Sequence, residues 1–299
     1  MSAFNKILVV LDVYHDFRDE PDHLPLELKK AIALIDDRAQ AKIYLVGCGF
    51  EEFLHDTYSN FGPEAIEQRK KFCAEMEQRL QVFGKALEAQ GFKVDCRVHW
   101  TYPRYEQIAR EAHTLDVDLV VQHVNARLPH ELHNLSHDTW QLVKTCNKPL
   151  LLIKDNEWQA EPVILAAVDP MHRHHKPMGL DYDILRAARE AKQRLGGTIN
   201  VVHAYAESAR PFTSTGSIRE AHSRAMDKLL KDFKVPAHAV RLIDEKPVDA
   251  IMQVRDVLRA DIVVLGALSR SRLAEAIIGN TADKLLNYIK SDLLVIKPA

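Results

Sequence analysis

The chain has 299 residues, a formal net charge of -2 at pH 7, 46% hydrophobic and 27% charged residues. That is an ordinary globular balance, long enough for two domains that each bury a core. Its near-neutral charge advertises neither nucleic acid nor an anionic membrane as a partner.

The four cysteines, Cys48, Cys73, Cys96 and Cys146, form no CxxC pair and suit isolated thiols in a reducing compartment. The first apolar run is about six residues long and ends on Asp12, unlike a cleavable signal. No stretch approaches the roughly 20 apolar residues of a membrane span. These features predict a soluble, cytoplasmic protein. The basic run Arg69-Lys70-Lys71 reads as a solvated helix face.

In chain order, short apolar runs near 7–12, 43–47, 94–99, 118–122 and 149–153 predict strands buried on both faces. Between the second and third, Phe72, Met76, Leu80, Phe83 and Leu87 recur every three or four residues and mark one face of a helix that should stop at Gly91. The second half repeats the series near 163–168, 199–204, 238–243, 261–266 and 293–297. Asp118–Lys154 aligns without a gap on Asp261–Lys297, an offset of 143 residues. Asp118, Val120, Val121, Arg127, Leu142, Leu150, Leu151, Ile153 and Lys154 recur as identical residues. The first strands also match, Ile7–Asp12 against Ile164–Asp169, as do 43–46 and 199–202.

Strands alternating with helices imply right-handed crossovers and a parallel sheet. The expected fold is α/β: two tandem Rossmann-like domains, 1–155 and 156–299, each a five-stranded parallel sheet flanked by helices. Ligands of such sheets bind beyond the carboxyl ends of the strands, where the strand order switches. The short polar linker 155–162 predicts domains that touch.

The strand ending in Asp169, the DIVVLG strand and the loop GALSRSRLAEAIIGN before a helix resemble the universal stress protein family. The resemblance runs over essentially the whole chain, twice. It implies that the fourth strand leads into a phosphate loop, Gly-x2-Gly-x9-Gly-Ser/Thr. There glycines let the backbone approach phosphate and a helix N-terminus attracts it.

The second domain has Gly266, then Ser269 in place of the second glycine, then Gly279 with Asn280-Thr281, and Asp169 at the end of its first strand. The spacing survives while one glycine is lost, so the nucleotide site is altered rather than erased. The first domain has His123, Ala126, Ser136 and His137 at these positions, followed by Asp138, which would cap the helix itself and repel phosphate. It is expected to bind no nucleotide.

The expected ligand pocket is therefore in the second domain, framed by Asp169, Gly266, Ser269, Arg270, Gly279, Asn280 and Thr281. His203, at a strand's carboxyl end, either touches the ligand or is half-buried against backbone. His172, His174 and His175, and also His130, His133 and His137, read as polar loops, and no metal is expected. Phe50, Phe53, Tyr58 and Phe61 either anchor a loop or close an apolar cavity.

No GxSxG, HExxH, P-loop or GxGxxG pattern occurs, so no catalytic residue and no resident cofactor are expected. The leading expectation is a non-catalytic stress protein taking a small ligand, anionic or lipid-like. The resemblance adds stress survival, including resistance to DNA damage. Two alternatives stay open: ATP binding with weak or no hydrolysis by the second domain, and a pure interaction scaffold. In the family the fifth strands pair, so Leu150–Lys154 and Leu293–Lys297 would make an intramolecular pseudo-dimer. A homodimer is a further assembly open to the chain.

Overall fold

The computed structural model describes residues 4–12, 24–50, 63–124, 136–171, 177, 179–205, 215–267, 284–286 and 288–298. Every expected strand is present. The first half contains β1 (Lys6–Leu11), α1 (Leu26–Ala33), β2 (Lys42–Gly49), α2 (Pro63–Glu88), β3 (Lys93–Trp100), α3 (Arg104–Thr114), β4 (Leu119–His123), α4 (His137–Thr145) and β5 (Leu150–Ile153). The second contains β6 (Val163–Ala167), α5 (Leu180–Leu195), β7 (Thr198–Tyr205), α6 (Thr215–Leu230), β8 (Val240–Asp244), α7 (Pro247–Leu258), β9 (Ile262–Gly266) and β10 (Asp292–Ile296).

The chain forms two compact units. One holds Ser2–Val124 and Ser136–Lys148; the other holds Pro149–Ala299. In the first, strands run parallel in the order β3-β2-β1-β4. In the second, the order is β8-β7-β6-β9-β10-β5. There β6 to β10 are parallel, but β5 lies antiparallel on β10, with Leu152 opposite Leu293 and Leu150 opposite Val295. The last strand of the first repeat thus packs with the second unit. Repeat boundary and packing boundary therefore differ by one strand of four buried apolar residues.

Equivalent residues do equivalent work in the two units. Asp118 Oδ2 accepts from the amides of Asn5 and Lys6 at 3.0 and 2.9 Å. Asp261 Oδ2 accepts from the amide of Val163 at 2.7 Å. Each carboxylate satisfies amide donors where its unit's first strand begins. The backbone extends the repeat further. Left-handed residues Gly91 and Asp116 recur 143 positions on as Lys234 and Arg259. Lys234 and Arg259 hold that conformation at φ of 51° and 50° despite carrying a Cβ.

Candidate functional site

In the second unit the chain runs from β6 outward through β7 to β8, then returns to β9 on the other side of β6. The strand order switches between β6 and β9, and the crevice beyond their carboxyl ends is the natural ligand position. Their register, Ala166 opposite Val264, carries Asp169 and Gly266 to the same end of the sheet.

Asp169 is half-buried, and its amide donates to Asp181 Oδ1 at 3.0 Å. Asp181 lies in the first turn of α5 and is fully buried. This bond ties the end of β6 to the start of a helix whose N-terminal dipole favours a carboxylate. Only the Asp169 backbone is used in it.

Gly266 has a packing role. A Cβ there would lie 2.6 Å from Leu180 Cδ2 and 3.3 Å from Ile184 Cδ1. The missing side chain is the space in which α5 seats on β9. Room for a helix, independent of any phosphate, accounts for this glycine.

His203 is 2% exposed on β7. Its Nδ1 donates to the Val168 carbonyl at 3.1 Å, so in a neutral ring Nε2 accepts the 2.7 Å bond from His222 Nδ1. The two rings stack at 4.9 Å and Tyr205 lies 5.5 Å from His222. Both His203 nitrogens are therefore committed within the core, linking β6, β7 and α6. His222 was not legible in the sequence, because no spacing rule joins a strand histidine to one on the next helix.

Ser269, Arg270, Gly279, Asn280 and Thr281 lie outside the described residues. So do His172, His174, His175, His130, His133, Ala126, Phe53, Tyr58 and Phe61. Phe50 stacks on Tyr102 at 4.9 Å and tilts against Trp100, which Phe72 meets edge-on at 5.1 Å.

At the matching helix start of the first unit, polar partners are internal. Ser136 Oγ accepts from the Thr139 amide at 3.2 Å and caps α4. Asp138, the expected cap, instead accepts from Arg104 Nε through its carboxylate at 3.0 Å. Ser136 stands one residue before the first helical turn, the position from which a short hydroxyl reaches the third amide. Gln122 Nε2 donates to Thr139 Oγ1 at 3.2 Å, and His137 contacts Gln141 on an exposed face.

A third cluster in the first unit looks like nucleophile chemistry. Cys48 and His99 are opposite one another on β2 and β3, and His99 Nε2 is 3.1 Å from Glu111 Oε1. Burial pushes the Cys48 thiol up to about 12, so it stays protonated near neutral pH and is no nucleophile. Among the described residues no group of three or more His, Cys, Asp or Glu side chains could hold a metal ion, and no helix is long and apolar enough to cross a membrane.

Residues 179–297 match the model of the universal stress protein family. Universal stress protein E of Escherichia coli strain K12 is 25% identical over 312 residues, covering 100% of this chain and 95% of that protein. The Photorhabdus laumondii protein of the same name is 24% identical over 314 residues, covering 100% and 96%. Among solved structures, a functionally unknown protein of Pseudomonas aeruginosa PAO1 shares the fold with a TM-score of 0.73 at 23% identity, covering 99% of this chain and 93% of that one. A universal stress protein of Archaeoglobus fulgidus has a TM-score of 0.67 at 14% identity, with 99% of each chain covered. The universal stress protein family is thus matched by residues 179–297, and over its whole length the chain resembles universal stress protein E.

Proposed function

We propose that the chain is a cytoplasmic stress protein that acts by binding a small ligand, without catalysis, at the carboxyl ends of β6 and β9. The observation that carries this reading is Asp169, half-buried at the switch in strand order, with its backbone held by Asp181 and its carboxylate not needed for that tie. A carboxylate there accepts hydrogen bonds from hydroxyl or amino groups of a ligand. Ser269, Arg270, Gly279, Asn280 and Thr281 are the further ligand-binding residues of this reading. His203 belongs to the supporting core instead, since its nitrogens are spent on Val168 and His222. Repeat units 1–155 and 156–299, stress survival and resistance to DNA-damaging agents complete the proposal.

Native mass spectrometry of the chain from its own cells, with a thermal shift on added ATP and magnesium, tests it. A small-molecule adduct that disappears in Asp169→Ala, with folding intact, is expected. An adduct-free mass with no thermal response to nucleotides, or an adduct unchanged in Asp169→Ala, overturns the proposal.

A further inference from the structure

The two units cover their third strands differently. In the first, α2 lies along β3. Met76, Leu80, Phe83 and Leu87 are buried, and Cys96 Sγ reaches the Leu80 carbonyl at 3.6 Å. Gly84 lets the helix approach: a Cβ there would sit 3.0 Å from Cys96 Sγ.

The left-handed residues after the two helices, Gly91 and Lys234, set a common offset of 143. By that offset Met76, Leu80 and Gly84 become Arg219, Ser223 and Asp227. A cation, a hydroxyl and a carboxylate stand where three residues closed the first interface. Burying them unpaired would cost too much, so the buried stripe of α6 shifts by one residue to Ile218, His222 and Leu229, while Met226 keeps the place of Phe83. β7 is the strand that α6 contacts most, His222 meeting His203 and Tyr205 there.

What remains between α6 and β8 is a groove of about 600 Å³. This is within the range of small-molecule sites. Arg219, Ser223 and Asp227 of α6, with Lys231 just past its end, form one wall, and half-buried Leu230, Val240 and Leu242 form an apolar floor. Arg241 stands on the strand side, its Nη1 donating to the carbonyls of His238 and Val240. The second of these bonds occupies a backbone acceptor on β8, the Val240 carbonyl, that an added peptide strand would need. Three cations face one carboxylate, and neither Arg219 nor Lys231 forms an ion pair with a described carboxylate.

We propose that this groove is a binding site for a small organic anion with an apolar body, separate from the crevice at β6 and β9. The apolar body covers Val240, Leu242 and Leu230, and the negative group meets Arg219, Lys231 and Arg241. An inorganic anion lacks the body that the floor selects, and a neutral apolar molecule leaves the cations without a counter-charge.

Two fluorescent probes test this on the full chain: anilinonaphthalene sulfonate, and N-phenyl-1-naphthylamine, which has the same rings without the charge. The sulfonate should saturate one site and bind at least about ten-fold more tightly than the neutral probe. The double variant Arg219→Glu/Lys231→Glu, on an exposed helix face, should weaken the sulfonate about ten-fold or more and leave the neutral probe unchanged. Ser223→Leu, which restores the residue of the first repeat, should weaken both. Amide shifts in two-dimensional NMR should fall on α6 and on 240–242. Undiminished sulfonate affinity in the double variant, or shifts elsewhere, refutes the site, as does tighter binding of an acidic peptide than of the sulfonate.

Discussion

Replacing Gly266 by alanine distinguishes a glycine kept for a helix from one kept for a phosphate. The new Cβ would lie 2.6 Å from Leu180 Cδ2 and 2.9 Å from Leu180 Cγ. Ordinary carbon contacts are about 3.5–4.0 Å, so the overlap approaches ~1 Å. Leu180 is 1% exposed and Ile184 is fully buried, so neither can swing into solvent. Overpacking of this kind costs about 1–3 kcal/mol. Leu180→Ala alone should cost about 2–5 kcal/mol through the cavity it leaves.

In the double variant the added methyl occupies part of that cavity. The two costs should therefore fall short of additivity by about 1–2 kcal/mol. The assay is urea unfolding followed by Trp158 fluorescence, with Trp100 and Trp140 replaced by phenylalanine. Trp158 reports on the second unit, where its Nε1 donates to Asp292 at 2.7 Å. A Gly266→Ala variant within about 0.5 kcal/mol of the parent, or strict additivity in the cycle, would refute the packing explanation.

Gly197→Ala should be worse than Gly266→Ala: its Cβ would fall 1.8 Å from the Pro162 carbonyl oxygen, a backbone atom that cannot rotate away. A loss of about 3 kcal/mol or more is expected in urea unfolding, and a mild loss would be contrary evidence. Lys234→Gly should stabilise by about 0.5–1 kcal/mol by removing a Cβ from a residue at φ 51°, whereas a destabilisation in thermal melts would contradict the reading. His99 is held below its ordinary pKa chiefly by burial, against the raising effect of nearby Glu111. The unfolded chain therefore takes up this proton first, so the contribution to stability is full above a pH of about 6.5 and declines as the pH falls below it. His99→Gln should flatten that slope in stability-against-pH curves, and an unchanged slope would count against it.

Strand positions and the repeat were legible in sequence because both are local. A strand buried on both faces must be apolar along its length, as Ile7–Leu11 and Ile262–Leu265 are. The aspartates recurring at 118 and 261 hold the amides where β1 and β6 begin. Of the expected pocket, sequence supplied Asp169 and Gly266 through the resemblance, and the observed strand order and register set them at one end of the sheet. It did not separate a glycine needed by a ligand from one needed by Leu180, since both leave the same letter.

Tertiary structure alone decided the rest. It set β5 antiparallel on β10, a direction that four apolar residues do not encode. It joined His203 to His222 and the Asp169 amide to Asp181, pairs made by side chains from different elements. It gave the α4 cap to Ser136 rather than Asp138, a difference of two residues in where the helix begins. And it opened the groove beside β8, because a polar face forces a helix to turn its other residues toward the core, and which face turns is settled only where helix and sheet meet.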